Sequence, residues 1–147
     1  MRAVGLDLGS KRIGVALSNS EGTLATPYDT VERSGDITRD HRAIKALVEE
    51  AEAEIVVVGL PLSLDGSDGP MAKKYRAESV EIESAVGVAV VLWDERFTTV
   101  TAEQSLMRQD VDGKRRRKII DKVAATVMLQ GWLDAKEFED DRVASDE

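Results

Sequence analysis

"MRAVGLDLGSKRIGVALSN", residues 1–19, decides the fold. Val4, Leu6 and Leu8 alternate with Ala3, Gly5 and Asp7, which is the period of a strand over 2–8. "GSK" (9–11) is a short turn, and "RIGVALSN" (12–19) reads as a second strand closing a hairpin on the first. The hairpin carries one anomaly. Asp7 stands inside an apolar run, and burying an unpaired carboxylate is very costly. Something must pair with it.

Outward from the hairpin, "EGTLATPYDTV" (21–31) offers a turn at Glu21-Gly22 and a third strand. The period then changes. Residues 36–54 place Ile37, Ala43 or Ile44, Leu47, Val48 and Ala51 at helical spacing behind an Asp36 N-cap. "IVVVGLP" (55–61) is the unbroken apolar run of a strand covered on both faces. After a loop over 62–70, a helix is expected over 71–86, a buried strand over 88–96 and a helix over 98–110 behind a Thr N-cap. A loop over 111–117 and a last helix over 118–138 complete the order β-β-β-α-β-α-β-α-α. This is an α/β chain. A three-stranded antiparallel meander followed by βα units gives a mixed five-stranded sheet with helices on both faces.

The chain has 147 residues, one domain's worth, and at that length about 68–70% of the unfolded surface can be buried. The expected division is a domain over 1–138 and an acidic, disordered tail over 139–147. With no cysteine, disulfides, thiolate zinc sites and cysteine nucleophiles are all excluded. The single histidine, His41, argues against imidazole metal sites and serine–histidine triads, and its neighbours Asp40 and Arg42 place it on a solvated helix face. No signal-peptide pattern opens the sequence and no apolar run approaches the ~18 residues of a membrane span, so a cytoplasmic protein without a membrane partner is expected.

The formal net charge of −8 alone speaks against nucleic acid, but its distribution does not. Residues 137–147 hold six acids against one arginine, so most of the excess lies in the tail. "GKRRRK" (113–118) packs five bases into six residues.

Three carboxylates occupy awkward places. Asp7 ends the first strand and Glu95 ends the fifth, where ligands collect in open α/β sheets. Asp121 sits in the first turn of a buried helical stripe with Ala124, Ala125, Met128 and Trp132. Taken singly, each has an ordinary explanation: a turn acceptor at Asp7, an ion pair of Glu95 with Arg96 or Arg12, a helix cap at Asp121. Taken together, three converging like charges raise one another's pKa unless a cation neutralises them. All-oxygen ligands suit Mg2+ or Mn2+. Two such ions ~3.5–4 Å apart activate water and stabilise the leaving oxygen in phosphodiester cleavage. A metal-dependent nuclease is the reaction class these residues favour.

"GLDLGSKRIGVALSN" (5–19), "VVVGLPLSLDG" (56–66), "DERFTTVTAE" (94–103) and "DKVAATVMLQGWL" (121–133) resemble, in order, the signature blocks of the YqgF (RuvX) family. Its members carry the names pre-16S rRNA nuclease and Holliday junction resolvase, and the similarity runs from about Met1 to about Ala135. The resemblance implies a ribonuclease H-like fold, catalytic and metal-binding acids at Asp7, Glu95 and Asp121, maturation of the 5′ end of pre-16S rRNA in ribosome biogenesis, and junction resolution as the alternative. The family's first block often continues Ser-Asp, whereas this chain has Ser18-Asn19. Asp94 should point to the opposite strand face from Glu95, which leaves a fourth acidic ligand open.

Around that site, Lys11, Arg12, Arg96, Lys114, Arg115, Arg116 and Arg117 are the candidates for phosphate contact. The expected partner is structured RNA or branched DNA, bound by a monomer or a homodimer. Trp93 and Trp132 read as core residues. Two rivals stand beside the nuclease. The first hairpin also resembles the phosphate-binding hairpin of sugar kinases and actin-like ATPases, but those proteins need a second such domain and no Walker-type loop is present. A non-catalytic RNA-binding assembly factor is the other rival, and three metal-free acids would weaken its affinity for RNA.

Overall fold

A computed structural model describes residues 1–63, 65–95 and 113–145. Strands β1 (Ala3–Leu8), β2 (Arg12–Ser18) and β3 (Ala25–Glu32) are followed by helix α1 (Ile37–Glu50), β4 (Ile55–Leu60), α2 (Pro70–Val86), β5 (Ala89–Asp94) and the long helix α3 (Gly113–Ser145). The sheet order is β3-β2-β1-β4-β5. The β1–β2 and β2–β3 pairs are antiparallel, while β1–β4 and β4–β5 are parallel. This is the expected meander followed by βα units.

The two sheet faces differ in side-chain size. One carries Val4, Leu6, Leu8, Ile13, Val15, Val56, Val58 and Leu60, packed against Ile44 and Val48 of α1 and Tyr75 and Ile82 of α2. The other carries Ala3, Ala16 and Val57 beneath Ala125, Met128, Leu129 and Leu133 of α3. Small residues on that face let α3 lie close. A Cβ on Gly5 would stand 2.8 Å from the Leu129 Cβ. Val56, Val57 and Val58 are fully buried, which is why β4 reads as an unbroken apolar run.

Asp36 caps α1 by accepting from the Thr38 and Arg39 amides. The helix ends at Glu50 rather than 54, because Glu52 turns left-handed (φ 54°). A loop was expected over 111–117, yet α3 already begins at Gly113: Lys and Arg are good helix formers and nothing after Gly113 interrupts them. Its backbone continues through most of the acidic segment, to Ser145. The helix expected over 98–110 lies outside the described residues. Among the described residues, no helix is long and apolar enough to cross a membrane.

The expectation for His41 needs correction. It is buried, not solvated, and its Nε2 lies 2.8 Å from Glu78 Oε2 on α2. Glu78 also receives both terminal nitrogens of Arg33 at 2.8 and 2.9 Å. Trp93 and Trp132 are only partly buried against the α3-side core, and Lys136 stands 5.3 Å over the Trp132 ring.

Candidate active site

The site lies on the α3 face, at the carboxyl ends of β1, β4 and β5. Asp7 projects there from β1, opposite Gly14 of β2. Glu95 follows β5 directly and folds back over Gly59 of β4, where an added Cβ would lie 2.5 Å from its Oε1. Asp121 comes down from α3. Its carbonyl oxygen occupies the space that a Cβ on Gly14 would need. Two strand glycines therefore clear the floor: Gly14 admits the α3 backbone, and Gly59 admits the Glu95 carboxylate.

The electrostatics answer the puzzle of Asp7. Its carboxyl is pushed up to about 8, first by burial, then by the Glu95 charge, by a hydrogen bond with Glu95 and by the Asp121 charge. Burial also raises Glu95; the bond from Asp7 pulls it down, and the Asp94 charge pushes it up again. Two carboxyls can share a hydrogen bond only when one holds a proton, and the directions make Asp7 the donor. Asp121 is raised by burial, while Arg12 works the other way. Its Oδ2 lies 3.8 Å from Arg12 Nη1, and Arg12 Nε also donates to Glu32 at 3.3 Å. Asp7 and Glu95 are thus in direct contact, and Asp121 faces them while engaged with Arg12. Among the described residues, no three acids or imidazoles already enclose a metal position.

Arg12 is largely buried beside the acids, and Lys11 is exposed at the hairpin turn. Arg96 and the side chains of Lys114, Arg115, Arg116 and Arg117 lie outside the described residues. Asn19 is at the far end of β2, where its Oδ1 accepts from the Thr23 and Leu24 amides; it organises the β2–β3 turn. Sequence reasoning passed over Gly14 and Gly59, although glycine inside a strand is a signal of close approach. It also passed over Arg33, whose Nε donates to the Gly9 carbonyl at 2.7 Å while its amide donates to the Lys11 carbonyl. Arg33 ties down the turn after Asp7.

The profile of a family described as "RuvX: Holliday junction resolvase" matches residues 1–135. The chain belongs to the RuvX family. It is similar to a "Putative pre-16S rRNA nuclease" of Myxococcus xanthus, with 47% identity across 92% of this chain and 89% of that one. A protein of the same description from Halalkalibacterium halodurans is 41% identical across 94% of this chain and 99% of its own length. Among solved structures, Thermus thermophilus RuvC in complex with a Holliday junction substrate superposes with a TM-score of 0.58 at 14% identity, covering 93% of this chain and 96% of that chain. That likeness concerns the fold. The RuvX chain has a RuvC-like, ribonuclease H-type α/β architecture.

Proposed function

We propose that this RuvX chain is a divalent-metal-dependent nuclease that hydrolyses phosphodiester bonds, acting at the 5′ end of pre-16S rRNA in ribosome biogenesis. One observation carries the reading: Asp7 on β1 and Glu95 just after β5 are pressed together in a largely buried place with Asp121 opposite. A fold gains nothing from forcing buried carboxyls into contact, and perturbed acids in a cleft mark function. The names of relatives 41–47% identical over most of the chain support pre-16S rRNA as the substrate.

Asp7, Glu95 and Asp121 would hold the ion. The donor set is all oxygen, and the proton between Asp7 and Glu95 occupies a place that a cation suits better, which fits Mg2+ or Mn2+. When bound, such an ion supplies the charge that lets all three acids ionise and the acidity that makes water a nucleophile. The chain's own contribution is positional. Gly14 and Gly59 let the acids approach, Arg33 fixes the turn after Asp7, and Arg12 offers a guanidinium to a phosphate oxygen. Lys11, Arg96, Lys114, Arg115, Arg116 and Arg117 hold the flanking backbone of the nucleic acid. The protein acts in the cytoplasm, as a monomer or a homodimer, through a domain spanning 1–138 followed by the acidic segment 139–147.

Holliday junction resolution is the second reading, favoured by the description of the matching family. A cleavage assay separates the two. Purified protein with Mg2+ or Mn2+ meets a pre-16S 5′ leader, a single-stranded RNA and a four-way DNA junction. Selective cleavage of the leader is expected. Selective cleavage of the junction would replace the first reading with the second, and retention of RNA without cleavage by any cation would leave an assembly factor.

A further inference from the structure

Arg12 also lines a groove of about 560 Å³ at the hairpin turn, within the size range of ligand clefts. Arg12 and Glu32 of the paired strands β2 and β3, the exposed Lys11 of the hairpin turn and the exposed Lys74 of α2 line it. Arg33 and Asp40 line its floor.

The charges in this groove are not equivalent. Glu32 accepts from Arg12, and Asp40 accepts from the Ser34 amide and hydroxyl at 3.0 and 2.7 Å. Arg33 is committed to Glu78 and to Gly9. The ammonium groups of Lys11 and Lys74 are exposed and make no ion pair among the described residues. Both acids are thus occupied and two cations are uncommitted, in a groove that also holds the guanidinium next to the acidic centre. A chain of regularly spaced phosphates lying in the groove offers an anion to each lysine and reaches the acids by way of Arg12.

We propose that this groove carries the phosphodiester backbone of the substrate away from the cleavage site, over the sheet end toward α2, with Lys11 and Lys74 each holding a phosphate. The proposal rests on the nuclease reading for the bond that is cut. It adds a residue, Lys74, and a direction for the strand. Each phosphate contact on a single strand contributes about 0.7 to the slope of log affinity against log salt, equivalent to roughly a threefold change between 50 and 200 mM salt.

The test measures anisotropy of a labelled single-stranded RNA on full-length protein without divalent cation, across a salt series. Variants are Lys11→Ala, Lys74→Ala, the double variant, Lys74→Glu, and Lys45→Ala as control. Lys45 lies on α1 and pairs with Glu49. Circular dichroism checks folding. The expected result is a slope shallower by about 0.7 for each of the two lysines, additive in the double variant, a larger loss for Lys74→Glu and no change for Lys45→Ala. In cleavage, the Lys74 effect should fall on KM. An unchanged slope in the double variant, while Asp7→Asn still abolishes cleavage, overturns the groove and spares the nuclease. Displacement of the RNA by a mononucleotide as readily as by unlabelled RNA also overturns it, making the groove a small-anion site. Loss of slope in a protein that cleaves nothing would retain the groove and overturn the nuclease.

Discussion

Replacing Asp7 by Asn should make the metal-free protein more stable, and the size of the gain should depend on pH. The Asp7 carboxyl moves from the ordinary 3.8 to about 8 on folding, chiefly through burial and then through Glu95 and Asp121. Below 3.8 both states hold the proton, and the site costs nothing. Between 3.8 and about 8 the unfolded chain releases a proton that the folded chain keeps, so stability falls as pH rises, by about 1.4 kcal/mol per unit. At pH 7 this reaches an upper value of roughly 4 kcal/mol, or about 10 °C in melting temperature for a chain of this size. Asn keeps the shape, still donates to Glu95 and has nothing to ionise. The assay is urea unfolding of wild type and Asp7→Asn in EDTA, from pH 4 to pH 8. Taking the difference between the two proteins removes the titration of every other group. A gap favouring the variant should open steadily with pH, and Mn2+ should narrow it by stabilising the wild type. A gap that is absent at pH 7.5, or flat across the range, would refute the buried carboxyl pair.

Other perturbations probe the scaffold around the acids. Gly14→Ala puts a methyl where the Asp121 carbonyl stands. It should cost roughly 1–3 kcal/mol by overpacking and, by displacing Asp121, lower the cleavage rate about a hundredfold; near-normal cleavage would show that the approach of α3 is not critical. Glu78→Gln leaves Arg33 without its counter-charge in a mostly buried place and should cost roughly 3–5 kcal/mol in urea unfolding, whereas a loss under 1 kcal/mol would mean that water replaces the pair. Burial raises Glu78, but the bonds from Arg33 and His41 outweigh it and hold the carboxyl low. Its contribution is therefore present above the ordinary glutamate value and lost as pH falls through the depressed one. The stability difference between wild type and Glu78→Gln should shrink on acidification, and growth toward low pH would reverse that assignment.

Much of this architecture was legible because the sheet is periodic where it matters. The alternation in β1 and the unbroken apolar run of β4 report one strand between two different faces and one buried on both. Asp7 stood out as an acid inside an apolar run, and Asp121 as an acid in a buried helical stripe. What the sequence concealed depends on contacts distant along the chain. His41 looked solvated because Asp40 and Arg42 flank it, yet residues one apart on a helix point in different directions. Its real neighbour, Glu78, is 37 positions away. Gly14 and Gly59 are ordinary strand glycines until α3 and Glu95 are laid over them. The start of α3 was misplaced because a basic run serves a loop and a helix equally well.

That Asp7, Glu95 and Asp121 form one cation site can be read most directly from anomalous diffraction of crystals soaked in Mn2+ at neutral pH. A manganese peak bounded by oxygens of all three residues is expected, with the hydrogen bond between Asp7 and Glu95 replaced by bonds to the ion. No peak there, with those two carboxyls still sharing their proton at saturating Mn2+, would contradict it.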